Sequence, residues 1–341
     1  MTSSAAIGVP TEVLVAPDSF KGTFSSQAVA EALVRGLIAA GQPAVACPVA
    51  DGGEGTLAVL GAALALEQRS VRVDDPLGRP VEAVFGLAPN DIAVVEMAAA
   101  SGLGLVAERD RDAIAASSYG TGELIAAAVA AGARTVYVAA GGSATTDGGE
   151  GALLAIEDLG GLGAARLVVL CDVRTPFELA PSTFAPQKGA SAQQVAQLER
   201  RLDHLAARLR RDPRGVPMTG AAGGLAGGLW AQLDAELVAG ASFILSAVDY
   251  DARMLAARAV ITGEGRLDQQ SLVGKVVSEV ATRARQAGVP CHAVVGSNAL
   301  ELFDLRILDL QLVLEASTLS ELEAAGAELG AATQEESGRG R

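Results

Sequence analysis

The sequence predicts an α/β protein in which a parallel-sheet domain is interrupted by an inserted domain. Short apolar runs alternate with helical periodicity at both ends of the chain, and this alternation is typical of parallel sheets covered by helices. Near Arg69 the pattern changes to three strand-like runs separated by turn residues, which indicate a meander instead. We therefore predict one discontinuous domain formed by residues 1–69 and 241–341, and an inserted domain formed by residues 70–240.

Periodicity and capping residues predict the N-terminal elements. Glu12–Ala16 and Pro43–Val49 are short apolar runs bounded by turn residues, so they are predicted strands. Between them, apolar residues at helical spacing predict a helix over Ser25–Gly41, with a serine at its start as the N-cap and the glycine at its end as the C-cap. Thr56–Leu66 is predicted as a second helix.

The same reasoning predicts the remaining elements. In the inserted domain they are, in order, strands Ser70–Asp74, Pro80–Leu87 and Ile92–Met97, helix Ser118–Ala131, strands Thr135–Ala139 and Val168–Val173, and helix Ala192–Arg211. After Ser242 the α/β alternation resumes with an apolar run at Ile244–Ser246, a strand at Ala259–Thr262, a helix at Gly274–Ala287 and a strand at Cys291–Val295.

Composition excludes several classes of function. The formal net charge of −14 would repel the phosphates of a nucleic acid and small anions alike, so any phosphate site has to be built locally. Three widely spaced cysteines without a CxxC motif are typical of a reducing cytosol. The first residues lack the basic and apolar regions of a signal peptide, and no apolar run has the length of a membrane helix. We therefore expect a cytoplasmic protein without a nucleic-acid or membrane partner.

Four glycine-containing loops, three of them with an acid, directly follow predicted strands, and this recurrence is the main signal for a binding site. The loops are Pro17-Asp18-Ser19 with Lys21 and Gly22 behind it, Asp51-Gly52-Gly53-Glu54-Gly55, Gly141-Gly142-Ser143, and Gly263-Glu264-Gly265. Ligands of open α/β sheets bind at the carboxyl ends of the strands. The loops are therefore candidates for one binding region.

The first two loops each have two interpretations. Backbone N–H groups after Asp18 and Ser19, together with Lys21, could hold a phosphate or a carboxylate, although for this motif taken alone a capped turn with an exposed lysine is the preferred interpretation. In the second loop, Asp51, Gly52, Gly53 and Glu54 suit magnesium coordination or recognition of a hydroxyl, and a tight turn with an acid at a helix N-terminus is the alternative.

The third loop is the strongest candidate for a phosphate-binding loop. Gly141 and Gly142 allow close approach of the backbone to a ligand, Ser143 and Thr145 supply hydroxyl donors, and Asp147 adds a carboxylate. A loop with a purely structural part rarely needs this density of Gly, Ser and Thr.

The fourth loop mixes acids with bases. It carries Gly263, Glu264, Gly265, Arg266, Asp268 and Lys275. Its acids could hold magnesium or accept a hydroxyl proton, and its bases could balance transferred phosphoryl charge, whereas the alternative is a surface cluster of ion pairs. Two further residues are weaker signals: Asp172 ends a predicted strand and is either catalytic or a turn acid, and Lys188 is expected to be a solvated loop lysine.

Ten segments of the chain, in this order, resemble the bacterial glycerate kinase family, the type I glycerate 2-kinases. They are APDSFKG, PVADGGEGT, DPLGRPV, VVEMAAASGL, SSYGTGELI, GGSATTDGGEG, CDVRTPF, PQKGA, GAAGGL and ITGEGRLDQQSLVGK, and they extend from about Val13 to Ser297. The resemblance implies a flavodoxin-like (Rossmann-like) parallel-sheet domain with an inserted mixed α/β domain. It also implies phosphoryl transfer from ATP to D-glycerate with Mg²⁺, giving 2-phosphoglycerate, with the active site in the cleft between the domains.

Given this reaction, we assign roles to the loop residues. Asp268 leads the candidates for the acid that orients the acceptor hydroxyl and accepts its proton, ahead of Asp172 and Asp51. Lys21 is expected to contact a carboxylate or a phosphate, and Asp147 and Glu264 are the expected magnesium ligands. The protein is expected to be a monomer or a homodimer.

Two departures from the family pattern stand out. Thr146 occupies the position where family members usually carry Asn, and only Glu157–Arg166 separates this loop from the next strand, where the family usually has a longer segment. A missing hairpin or helix would leave an edge strand or an apolar face uncovered. Two alternatives stay open: a kinase of another short hydroxy acid or sugar acid, and a non-catalytic sensor of phosphorylated metabolites, which would have no need of so many acids.

Overall fold

The computed structural model describes residues 11–272 and 274–339, with side chains up to Thr333. Its strands are β1 (Val13–Pro17), β2 (Ala44–Ala46), β3 (Glu67–Asp74), β4 (Pro80–Leu87), β5 (Ile92–Glu96), β6 (Thr135–Ala139), β7 (Arg166–Cys171), β8 (Glu236–Ala239), β9 (Ala259–Glu264), β10 (Cys291–Val295) and β11 (Val313–Glu315).

The α-helices cover both ends and the middle of the chain. They are α1 (Ser26–Ala39), α2 (Thr56–Ala63), α3 (Ala98–Ser101), α4 (Tyr119–Ala130), α5 (Glu150–Asp158), α6 (Ala180–Phe184), α7 (Ala192–Ala206), α8 (Leu225–Leu233), α9 (Gly240–Ala247), α10 (Tyr250–Leu255), α11 (Val276–Ala287), α12 (Leu302–Leu308) and α13 (Leu319–Arg339). In the part of the chain described, no helix combines the length and apolar character needed to cross a membrane.

The first sheet has five parallel strands in the order β11-β10-β9-β1-β2. Counted within this sheet alone, the order is 2-1-3-4-5, which is the flavodoxin-like order. Val15 of β1 pairs with Ala46 on one side and with Ile261 of β9 on the other. Leu33 and Leu37 of α1 pack with Leu322 and Leu329 of α13 in the buried core of this sheet. The predicted parallel-sheet domain is therefore confirmed.

The second sheet is mixed, as predicted for the inserted domain. Its order is β3-β4-β5-β6-β7-β8, and only the pairs β3–β4 and β4–β5 are antiparallel. The predicted meander forms the antiparallel edge, and the buried strands Ile92–Glu96, Thr135–Ala139 and Arg166–Cys171 form the parallel part. Leu124 and Ile125 of α4 and Leu225 and Leu229 of α8 fill the core of this sheet.

Contacts divide the chain into two compact units, Met1–Ala50 with Leu245–Arg341 and Asp51–Ile244. The sequence analysis put the first boundary between residues 69 and 70, nineteen residues later than this division. The difference has a physical reason, because α2 packs on β4 and β5 and the Glu96 carboxylate accepts the N–H of Leu57 at 2.7 Å. The loop Asp51–Gly55 therefore belongs to the second unit.

Some elements differ from the sequence prediction. The apolar run Ile244–Ser246, for which the sequence indicated no element type, lies inside α9. The strands β8 and β11 were not predicted, because they are four and three residues long and only partly buried. The predicted helix over Ala192–Arg211 ends at Ala206.

Candidate active site

The strand order of the first unit places a binding crevice between β1 and β9. These two strands are neighbours in the sheet, and the order of strands reverses there, which is where ligands bind in open α/β sheets. A cavity of about 410 Å³ lies at the carboxyl ends of both strands. Eight residues of the sequence prediction line it: Asp18, Ser19, Lys21, Glu264, Gly265, Arg266, Asp268 and Lys275.

Backbone hydrogen bonds connect the loops that form this cavity. The N–H of Asp18 donates to the Gly263 carbonyl at 2.8 Å, and the N–H of Gly296 donates to the Glu264 carbonyl at 3.1 Å. A Cβ on Gly263 would stand 2.1 Å from the Val294 carbonyl oxygen, so only glycine fits at this strand end. Gly296 and Ser297, which the sequence analysis did not select, complete the wall.

Charged side chains of both signs line the cavity. Lys21, Arg266 and Lys275 are the cations, and Asp18, Glu264 and Asp268 are the acids. Asp18 and Glu264 are buried, whereas Asp268 is one-third exposed and lies 3.4 Å from the guanidinium of Arg266. Asp268 also accepts the N–H of Gln270 at 2.9 Å. The acid and the base of this pair therefore face solvent together at the cavity.

Ser19 adds a hydroxyl donor to the cavity wall. Its Oγ is buried, and among the described residues it has no hydrogen-bond partner. A buried hydroxyl without a partner is costly unless a ligand or water satisfies it, and such groups in a cavity indicate a ligand contact.

A second group of predicted residues meets within the second unit. The N–H of Gly141 donates to the Gly52 carbonyl at 3.3 Å, and a Cβ on Gly141 would stand 3.3 Å from a carboxylate oxygen of Asp172. The Asp51 carboxylate is buried and accepts the N–H of Gly53 at 3.0 Å. Loop Asp51–Gly55, loop Gly141–Asp147 and the end of β7 thus lie side by side. The last two are at the carboxyl ends of neighbouring parallel strands, whereas Asp51–Gly55 follows β2 of the first sheet and precedes α2.

Comparison with known proteins identifies the family. The model of the glycerate kinase family matches residues 13–161 and 158–329. A glycerate kinase of Halalkalibacterium halodurans is 38% identical over 323 residues, which cover 84% of this chain and 85% of that protein. Glycerate 2-kinase of Escherichia coli is 37% identical over 324 residues, with the same coverage. The chain belongs to the glycerate kinase family.

A solved structure agrees with this assignment. The crystal structure of a candidate glycerate kinase 2 from Salmonella typhimurium LT2 has a TM-score of 0.77 and 31% sequence identity to this chain. The match covers 96% of this chain and 99% of that one. This glycerate kinase family member is therefore an enzyme, and the expected kinase activity is confirmed.

The family match breaks where the sequence analysis found a shortened segment. Its two parts meet at residues 158–161, between α5 and β7. No edge strand is left uncovered there, because β7 pairs with β6 and β8. An apolar surface is present, because Leu154 and Leu159 on and after α5 are 52% and 56% exposed. Two exposed leucines therefore lie beside the break in the family match.

Asp147 has a structural role in the second unit. It is fully buried, and its carboxylate accepts four hydrogen bonds, from the N–H and the hydroxyl of Ser118 and from the N–H groups of Gly149 and Gly151. These bonds join the start of α4 to the start of α5. The expectation that Asp147 binds magnesium stays a prediction, and this geometry gives it no support.

Lys188 is a buried residue of this loop region that the sequence did not single out as a site residue. It was expected to be solvated, but it is 3% exposed, and its Nζ donates to Ser143 Oγ at 2.8 Å and to the Thr145 carbonyl at 2.5 Å. Burial lowers the pKa of Lys188 to about 7, against the opposing charges of Asp147 and Asp172. A signal was available in the sequence, because the chain has only three lysines and the other two are Lys21 and Lys275.

The donor set of the first cavity fits a magnesium ion. Among the described residues no group of three or more His, Cys, Asp or Glu side chains could enclose a metal. Magnesium in kinases is usually held by one or two carboxylates together with substrate phosphates. The buried carboxylates of Asp18 and Glu264, on neighbouring strand ends, meet this requirement.

Proposed function

We propose that this glycerate kinase transfers the γ-phosphoryl group of ATP to the 2-hydroxyl of D-glycerate, giving 2-phosphoglycerate. The observation that carries the proposal is the cavity at the β1–β9 switch point, where three cations, three acids and the Ser19 hydroxyl converge. The name of the Escherichia coli relative, glycerate 2-kinase, supports the choice of the 2-hydroxyl.

The cations of the cavity would bind the transferred phosphoryl group. The charge of a phosphoryl group in transfer spreads over its equatorial oxygens, so positioning and electrostatic stabilisation supply most of the catalysis. Lys21, Arg266 and Lys275 can supply this positive charge in a chain whose net charge otherwise repels anions. The Ser19 hydroxyl lies beside them as a further donor.

Asp268 is proposed as the acid that orients the acceptor hydroxyl and accepts its proton. It lines the same cavity as the three cations, and its partial exposure leaves it within reach of a substrate. Arg266 at 3.4 Å keeps the carboxylate in place. Asp172 and Asp51 are kept as the alternatives, because Asp172 directly follows β7 beside the Gly141 loop, and Asp51 is buried in the loop that contacts Gly141.

Magnesium is proposed as the cofactor, with Glu264 and Asp18 as its protein ligands. When bound, the ion would neutralise charge on the β- and γ-phosphates of ATP. Both acids are buried at neighbouring strand ends that line the cavity, where they could hold a divalent cation together with substrate phosphates. Asp147 is proposed to keep its structural part. The cleft between the domains as the place of reaction, the cytoplasmic location and a monomer or homodimer remain predictions.

A coupled ADP-release assay tests the proposal. Glycerate, glycolate, lactate and tartrate are compared as acceptors, and the phosphorylated product is offered to enolase, which accepts 2-phosphoglycerate and requires a mutase for 3-phosphoglycerate. We expect turnover with D-glycerate and direct conversion by enolase. Turnover with another acid alone would instead support a kinase of that hydroxy acid, and a reaction without acceptor is the control for ATP hydrolysis.

A further inference from the structure

Ser143 and Lys188 of the second unit are joined by a hydrogen bond. Ser143 is half-buried on the Gly141–Asp147 loop, whereas Lys188 lies behind it and is 3% exposed. The ammonium of Lys188 donates to Ser143 Oγ at 2.8 Å and to the Thr145 carbonyl at 2.5 Å. The lysine therefore fixes two residues of the loop at once, from its buried side.

The hydrogen bond from Lys188 determines what the Ser143 hydroxyl can do. A hydroxyl that accepts from an ammonium still has its own proton to donate. Within residues 11–272 and 274–339, the Ser143 proton has no acceptor. A charge-assisted bond polarises the hydroxyl and strengthens the next bond in the chain. Ser143 is thus prepared to donate to a ligand on its exposed side.

Unsatisfied polar groups surround this pair. The hydroxyls of Thr145 and Thr146 are fully buried and have no hydrogen-bond partner among the described residues. Lys188 and Arg111 line the same small cavity of about 10 Å³, and the buried Nε of Arg111 also has no partner in the described part of the chain. Buried donors without partners are rare in proteins. The cavity has room for no more than one water, so an oxyanion ligand of this loop would approach from the exposed side of Ser143.

We propose that Lys188 is a positioning residue that acts through Ser143, making its hydroxyl a donor to a substrate oxyanion and adding the positive charge that the loop otherwise lacks. This inference rests on the proposed function, because the oxyanion would be a phosphate of the nucleotide or the carboxylate of the acceptor. The charged groups near Lys188 are Asp147 and Asp172, together with Arg111 and Asp112, which line the same small cavity. Asp147 is held by its four hydrogen bonds, so it does not compete for the ligand.

A double-mutant cycle tests the inference. Lys188→Met, Ser143→Ala and the double variant are compared with Lys188→Arg and with the control Arg72→Met, which removes an exposed cation from β3 of the same unit. We expect each single variant to raise the KM of one substrate by about 10-fold or more, since bonds to charged groups are worth this much. The double variant should be no worse than the poorer single variant.

The substrate whose KM rises identifies the oxyanion. A rise for ATP indicates a phosphate, and a rise for glycerate indicates the carboxylate. We expect Lys188→Arg to recover part of the loss, because it restores the charge with a different geometry. Additive effects in the cycle, or kinetics of Ser143→Ala equal to those of the native enzyme, would overturn the inference.

Binding of tripolyphosphate, measured by calorimetry, separates this inference from the proposed function. If no acceptor is turned over but the native protein binds tripolyphosphate more tightly than Lys188→Met, the proposed reaction fails and the inference stands for a phosphate. If Lys188→Met does not fold, the tripolyphosphate affinities of Ser143→Ala and Lys188→Arg are compared with that of the native protein instead. Equal tripolyphosphate affinity in all folded variants, together with an unchanged KM for the acceptor, would contradict it.

Discussion

Gly141 lies so close to Gly53 that a Cβ on Gly141 would stand 2.5 Å from the Gly53 Cα. Real Cβ atoms do not approach backbone this closely, so the two loops at the ends of α2 and β6 can meet only as glycine against glycine. The same hypothetical Cβ would reach 3.3 Å from an Asp172 carboxylate oxygen. Glycine at 141 therefore determines how three predicted site segments lie together.

Gly141→Ala is expected to separate these loops. The added methyl group must displace backbone, so we expect a fall in stability of about 1–3 kcal/mol and a larger loss of turnover. The matched control is Gly61→Ala in α2, where a Cβ would meet nothing within 4 Å. There alanine should stabilise by up to about 1 kcal/mol. Thermal unfolding and steady-state kinetics of both variants check the prediction.

Thr146→Val is expected to leave the free enzyme as stable as the native protein, or more stable. The Thr146 hydroxyl is fully buried and has no partner among the described residues, so its removal relieves a desolvation penalty. Thr262→Val is the comparison, because that buried hydroxyl donates to the Ala16 carbonyl at 3.1 Å and its loss should cost about 1 kcal/mol. Denaturant unfolding decides, and equal losses in both variants would contradict the argument.

Local pattern was enough to predict the fold class and several of the loop residues that line the cavity. Acids and glycines that follow apolar runs identified the ends of β1 and β9, and the parallel arrangement then brought Asp18 and Glu264 to one edge. The pattern did not reveal Lys188, because its burial depends on contact with Ser143, forty-five residues earlier in the chain. The predicted domain boundary also put α2 in the first unit, whereas the hydrogen bond from the Leu57 N–H to the Glu96 carboxylate connects this helix to the second unit.

Asp268→Asn is expected to lower turnover by about 10²–10⁴-fold while ATP still binds. The variant keeps the shape of the side chain but removes the basicity that a proton acceptor needs. The carboxylate lies 3.4 Å from Arg266 and lines the cavity, so the amide should remain in place. Calorimetric ATP binding is the control. Near-native turnover would move the role to Asp172 or Asp51, whose Asn variants are measured in parallel.

Removal of magnesium with excess chelator is expected to abolish turnover, and Glu264→Gln is expected to raise the magnesium concentration needed for half-maximal activity. One lost carboxylate leaves Asp18 and the phosphates as ligands, so added magnesium should restore part of the rate. Asp147→Asn is the contrast, because it disturbs a buried carboxylate that accepts four hydrogen bonds. That variant should lose stability, and its magnesium requirement should not change.

Affinity for the anionic substrate is expected to fall as the pH rises through about 7, because the protonated form of Lys188 supports the oxyanion. Burial lowers the pKa of Lys188 from 10.5 to about 7, so the free enzyme loses this charge in that range. A bound oxyanion raises the pKa of Lys188 again. The fall with rising pH should therefore be stronger in kcat/KM, which reports the free enzyme, than in kcat, which reports the enzyme–substrate complex. Lys188→Arg keeps its charge throughout this range, so its kcat/KM should not fall as the pH rises through about 7.

The lowered pKa of Lys188 affects stability in the opposite direction, because the free energy of unfolding should rise with pH. Below about pH 7 both the folded and unfolded chains carry the Lys188 proton, and burial of the charge destabilises the fold fully. As the pH rises from about 7 to 10.5, the unfolded state binds more protons at this position, so the native protein should gain stability relative to Lys188→Met. Denaturant unfolding of both proteins across this range measures the difference. A difference in unfolding free energy that stays constant with pH would mean that Lys188 has the same pKa in the folded and unfolded chains. A fall of kcat/KM with pH would then have to come from another titrating group.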